Sequence, residues 1–216
     1  MKSPLTMYKT TEDVSFLAFH LPKKDKNYLW MKNILVVLLT IFSLNYASAQ
    51  TQVGAVTLPD TVNFGGEDLT LNGAGIRKKA MILKLYSGGL YLANPSSDAK
   101  SIINSGDNMA IKLHITSGFV SSDAMKEAVA DGFDASMDGD TTSLTSEIEK
   151  FVGFFSEEIV EDNIFDITYQ GDRGVVVYKN GTELGSISGI DFKKALFGIW
   201  LGDDPADKKL KKAMLN

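Results

Sequence analysis

Residues 71–92 read LNGAGIRKKAMILKLYSGGLYL, and the reading of the whole chain turns on them. Gly73 and Gly75 bracket Ala74, and glycine lets a backbone turn sharply or approach a neighbour without a Cβ clash. Arg77 follows at once. From Lys79 to Leu85 the side chains alternate, with Met81, Leu83 and Leu85 on one face and Ala80, Ile82 and Lys84 on the other, which is the period of a strand. Gly88 and Gly89 are expected to interrupt it. Carried back, the same alternation puts Arg77 on the apolar face beside Met81 and Leu83. A guanidinium cannot lose its proton, so there it must be paired, reach water, or await an anionic ligand. Glu67 and Asp68 are the partners nearest in sequence for the first case.

The chain has 216 residues, and its first 49 read as lying outside the folded domain. Met31, Lys32 and Asn33, then ILVVLLTIFSL, then Ala47-Ser48-Ala49-Gln50 have the charged start, short apolar run and small-x-small site of a secretory signal peptide, with cleavage after Ala49. The run from Ile34 to Leu44 is too short to span a bilayer comfortably, and no cysteine follows for lipidation, so no stable membrane anchor is expected after cleavage. Residues 1–30 read as a start called too early, with Met31 the true one, or as a disordered extension. The location implied is periplasmic or secreted, with one domain over 50–216.

That segment carries 24 Asp and Glu against 16 Lys and Arg, a net charge of −8. Phosphate backbones select clustered positive charge, so nucleic acid is excluded as a partner. Lys208, Lys209, Lys211 and Lys212 form the densest basic group and read as a solvated helix face. With no cysteine in the chain, no disulfide framework supports the fold, and a hydrophobic core must do so alone.

Short strands open the domain: Val53 to Leu58, then the segment from Asp60 through a glycine turn into Leu69. Ser97 caps a short helix to about Ile103, and Met109, Ile111, Leu113 and Ile115 mark another half-buried strand. Ser121 to Asp123 start a helix whose face is Met125, Ala128, Val129 and Phe133. Thr141 or Thr142 opens a second, with Leu144, Ile148, Phe151, Val152 and Phe155 as its stripe. Strands return at Asn163 to Tyr169, Val175 to Tyr178 and Thr182 to Ile187. Asn180-Gly181 is a hairpin turn, since both central residues of a type I′ turn need positive φ. Asp191 to Leu201 is a helix stopped by Gly202, and Asp204-Pro205 caps a last one to Met214. Strands, helices, strands, helices in that order imply an α+β fold, an antiparallel sheet packed on one face by helices.

The chemistry open to this segment is narrow. His114 is its one histidine, with no G-x-S-x-G beside it, so a histidine-dependent nucleophile is not expected. Asp131, Asp134, Asp138 and Asp140 lack the alternating ligands and distal glutamate of a calcium loop. G-A-G-I-R lacks the third glycine and lysine of the phosphate-binding loops. Neither metal nor cofactor is expected.

With Gly73-Ala74-Gly75-Ile76-Arg77 and then Tyr86 to Leu92, the chain resembles the chalcone isomerase family, from about Val53 to Met214, and looks most like its exported bacterial branch. The resemblance implies an open-faced sandwich of sheet and helices. It also implies that Arg77 holds the anionic end of a ligand: a phenolate in flavanone ring closure, or a carboxylate in fatty-acid-binding relatives. Tyr86 stands where the isomerases have a threonine, and its hydroxyl could donate to an anion. Its spacing from Arg77 places it on the opposite strand face unless a bulge intervenes. Ser121 to Ala128 offers no tyrosine and asparagine pair like that of the isomerases, and Gly198-Ile199-Trp200 stands in place of their small hydroxyl residue. The expectation is therefore a binder of a small amphipathic anion, a fatty acid or aromatic acid, with Arg77, Tyr86 and Trp200 as its site. The alternative is an intramolecular lyase using Arg77 for an oxyanion and Tyr86 as proton donor. A scaffold with a solid interior and no ligand is the third.

Overall fold

The computed structural model describes residues 50–80 and 82–216. The expected extension at 1–30, the expected signal peptide at 31–49 and the placement of Met81 lie outside the described residues. Seven strands run β3 (Thr61–Phe64), β4 (Glu67–Lys79), β5 (Leu83–Leu92), β6 (Met109–Ile115), β7 (Ile164–Gln170), β8 (Gly174–Lys179) and β9 (Thr182–Ile187). They form one antiparallel sheet in which spatial order follows chain order. A separate hairpin, β1 (Gln50–Val53) with β2 (Val56–Pro59), lies before them.

The helices are α1 (Ala99–Asn104), α2 (Ser122–Ser136), α3 (Thr145–Gly153), α4 (Ile190–Leu201) and α5 (Lys208–Met214). α1 to α4 cover one face of the sheet, where Phe133, Phe151, Phe155, Phe165, Phe192 and Phe197 are fully buried together. Burying one such side chain contributes about 2–3 kcal/mol, and these edge-on and tilted ring pairs add to it. The expected apolar stripes of α2 and α3 supply this layer. On the opposite face Leu69, Tyr91 and Ala110 form a second small core with Val62 and Phe64 around them. Phe64 of β3 and Tyr178 of β8 stack with centroids 5.6 Å apart although four strands separate theirs, so the sheet curls with this face concave.

Two local expectations are corrected at the decisive stretch. Lys79 to Leu85 is not one strand: β4 ends at Lys79 and β5 returns from Leu83, with Ala80 at φ 50°. The alternation simply continues through the turn, which contains none of the usual turn residues. The four glycines, in turn, do not bend or break strands but lie inside them, Gly73 and Gly75 in β4, Gly88 and Gly89 in β5.

Cap positions shift as well. Asp98, not Ser97, caps α1, and Asp207, not Asp204-Pro205, caps α5 by accepting the N–H groups of Lys209 and Leu210. Ser121 caps α2 as expected. Asn180 and Gly181 have φ of 51° and 81°, the type I′ hairpin turn.

Candidate functional site

The reversal between Lys79 and Leu83 decides the site. Because β4 and β5 are neighbours, Arg77 lies directly opposite Tyr86, and residues opposite each other in a sheet share a face. The expected opposite placement of Tyr86 assumed a single strand and is corrected here. The pairing slips next to it, leaving Leu85 without a partner between the Arg77–Tyr86 and Lys78–Lys84 pairs. The Tyr86 hydroxyl in turn accepts a hydrogen bond from the Trp200 indole at 3.0 Å, with both side chains buried. The three residues expected to form the site therefore come together where β4 and β5 meet α4.

Arg77 is half-buried, and its Nη1 is buried with no hydrogen-bond partner. Glu67 cannot supply one: ten residues of strand, about 33 Å, separate it from Arg77. Asp68 is occupied instead by Asn63 Nδ2 at 2.7 Å. The acid whose charge reaches Arg77 is Asp207, but its carboxylate is engaged by the backbone N–H of Lys78 at 3.1 Å, Lys209 at 2.8 Å and Leu210 at 3.0 Å. Burial works against the charge on Asp207, yet these bonds and Arg77 outweigh it and hold its carboxyl below the usual range. Burial raises Tyr86 above the ordinary phenol range, against the opposing pull of Arg77 and the Trp200 hydrogen bond, so it remains a neutral donor.

The glycines place this cluster. α5 lies so close on β4 that a Cβ at Gly73 would stand 2.3 Å from the Ala213 carbonyl oxygen, and one at Gly75 would stand 2.8 Å from the Ala213 methyl. Gly-x-Gly is thus a docking surface for a helix, which brings Asp207 to the end of β4. Asn72, bulged out of register, fixes the helix at its other end by donating to the Met214 carbonyl at 2.7 Å. Sequence reasoning passed over Asp207 and Asn72. Asp207 carried a signal, a capping residue directly before a run of helix formers, but Asp204-Pro205 gave a similar one three residues earlier.

Clefts open elsewhere. A groove of about 530 Å³ runs between β1, the Ala74–Lys78 edge of β4 and the start of α5. Another of about 800 Å³ lies over α1, α2 and α4, and one of about 160 Å³ lies beside α1. None of the three is lined by Arg77, Tyr86 or Trp200. His114 pairs with Asp162 at 3.2 Å and, as the cross-strand partner of Ser87, lies on the sheet face opposite that of Tyr86. Asp140 accepts from the Thr142 hydroxyl at 2.6 Å, and among the described residues no group of acids and histidines is arranged to hold a metal ion.

A curled antiparallel sheet with helices on its convex face defines an α+β fold, with Arg77 and Tyr86 as cross-strand neighbours at one end of it. The profile of the chalcone isomerase-like family matches residues 50–216, and the chain belongs to that family. The crystal structure of a fatty-acid binding protein of Arabidopsis thaliana superposes with a TM-score of 0.62 at 18% identity, over 77% of this chain and 96% of that one. At that identity the likeness shows the fold. No curated protein matches the chain by sequence.

Proposed function

We propose that this protein binds a small amphipathic anion, a fatty acid or aromatic acid, whose charged head is held by Arg77 with Tyr86 as second donor. The observation that carries this is Arg77 Nη1, a buried donor left without a partner beside a neutral phenol. A buried guanidinium nitrogen left unsatisfied costs free energy, and a carboxylate would satisfy it in a charge-assisted bond. The fatty-acid binding relative from Arabidopsis supports a carboxylate over a phenolate. Tyr86 and Trp200 are both buried, so an acyl tail that reaches them enters by displacing side chains.

The lyase alternative needs Tyr86 to give up its proton readily, and burial moves its pKa the wrong way for an acid working near neutrality. The ligand-free scaffold draws on the absence of Arg77 from the three clefts. Native mass spectrometry with lipid extraction on the protein purified from cells separates these readings. A co-purifying acid that is lost in Arg77→Ala is expected. An empty wild-type protein that takes up no added acid would sink the binding reading, and turnover of a chalcone would favour the lyase.

Export belongs to the same proposal, resting on the charged start, apolar run and Ala-x-Ala site at 31–49. N-terminal sequencing of the protein from cells is expected to begin at Gln50, and an intact Met1 or Met31 start would refute it.

A further inference from the structure

We propose that the corner of the molecule carrying the β4–β5 turn docks on an anionic lipid bilayer. The role this gives it, exchange of the bound acid with the membrane, rests on the binding reading above.

Two observations meet at this corner. The first is charge. Over a segment of net charge −8, Lys78, Lys79 and Lys84 crowd the β4–β5 hairpin, and Lys208 and Lys209 face Lys78 across the groove at the edge of β4. All five are exposed, and among the described residues none makes an ion pair. Lys78 and Lys84 are direct cross-strand partners. Like charges placed opposite each other weaken a sheet, so the fold does not account for this pair. Asp207 is the one acid lining the groove, and it is engaged in capping α5.

The second is apolar exposure. Ile82, at the tip of the turn, is 85% exposed, and Phe119, in the loop leaving β6, is 73% exposed. These are the two most exposed large apolar side chains of the described residues. Both lie at the same end of the sheet, since Thr116 N–H donates to the Leu85 carbonyl at 3.0 Å and Ile115 pairs with Tyr86. Phe119 is presented by a built turn: Ser117 Oγ accepts its N–H at 3.3 Å, and the adjacent Val120 is buried as an anchor. Val160 at this end is flanked by Glu161 and Asp162, which marks the limit of the patch.

An apolar hairpin tip flanked by lysines, with a second apolar tip at the same end of the sheet, suits an interface in which the tips reach the acyl boundary and the ammonium groups meet lipid phosphates. The acidic remainder of the molecule is repelled from the same surface, which orients it. Arg77 and Tyr86 lie about 10 Å up the strands from this tip by strand rise, so the anion site faces the lipid source.

Flotation of the full chain, as purified from cells, with phosphatidylcholine vesicles and with vesicles also containing phosphatidylglycerol tests this. Binding is expected to the anionic vesicles only. Lys78→Glu with Lys84→Glu should lower partitioning by about tenfold or more, since each lysine at an anionic surface contributes about fivefold. Ile82→Asp with Phe119→Asp should abolish binding. Both pairs are expected to keep the wild-type thermal midpoint, because the altered side chains are exposed. Equal flotation of wild type and variants, or equal binding to both kinds of vesicle, would overturn the proposal. So would binding to polyglutamate that survives Ile82→Asp with Phe119→Asp, which would assign the corner to an acidic polypeptide. Uptake of a soluble fatty acid is measured in parallel: its absence from wild type that still floats refutes the Arg77 reading and leaves the docking surface intact.

Discussion

Arg77 is held where the protein gains least from it. Its Nη1 is buried without a partner, so replacing it by an apolar side chain of similar length should stabilise the fold while destroying the site. Arg77→Met is expected to raise stability by about 1 kcal/mol, or roughly 2–4 °C in Tm for a domain of this size. A Tm that falls would mean that the guanidinium contributes to folding, against a ligand role. Tyr86→Phe should act oppositely, costing about 1–2 kcal/mol in urea unfolding, because the buried Trp200 N–H then loses its acceptor. The sequence made Arg77 legible, since a charge in an apolar alternation needs a reason. Its pairing with Tyr86 was not legible, because a reversal through Ala80 and Ile82 leaves no glycine, proline or asparagine to mark it.

Among the elements, the contact of α5 with β4 separates glycines that look equivalent in sequence. Gly73→Ala would drive a methyl into backbone carbonyls of Ala213 and Met214, which only a shift of the helix relieves, at a cost of about 2 kcal/mol or more. Gly88→Ala would meet the Met214 terminal methyl at 3.0 Å, the far end of a flexible side chain, and should cost less than half as much. Thermal unfolding of the two variants checks the order, and equal losses would refute this account of Gly-x-Gly. Helix faces and the Asn180-Gly181 turn were legible because their period and turn chemistry are local. The caps at Asp98 and Asp207 were missed because several capping residues stand close together in each loop.

For the whole molecule, the antiparallel sheet followed from the order of segments, but its curl did not, because Phe64 and Tyr178 meet only across the accumulated twist of six strands. Nor was the burial of Lys193 legible, since the sequence marks it only as one residue of the helix from Asp191 to Leu201. It is fully buried on α4, and its Nζ donates to the carbonyls of Ile102, Ile103 and Ser105 at 2.8–2.9 Å, tying α4 to the end of α1. Burial, with help from Lys194 and against Asp107, pulls its pKa down to about 8. The folded value lies below the unfolded one, so between about pH 8 and the ordinary lysine range the unfolded chain holds a proton that the folded one lacks. This group's contribution to stability therefore rises with pH across that window and is flat below it. Comparison of urea midpoints should show the rise in wild type and its absence in Lys193→Met, whose overall stability is lower because three carbonyls lose their donor.

The bond from the Lys78 N–H to the Asp207 carboxylate joins positions 129 residues apart in the chain. A ribosome delivers β4 long before it delivers α5. During that interval the Gly73 and Gly75 surface stands bare, the edge of β4 is uncovered, and Arg77 has water for company. The β4 end of the sheet therefore reaches its final form only once α5 has been made, so folding of this end waits on the last helix of the domain.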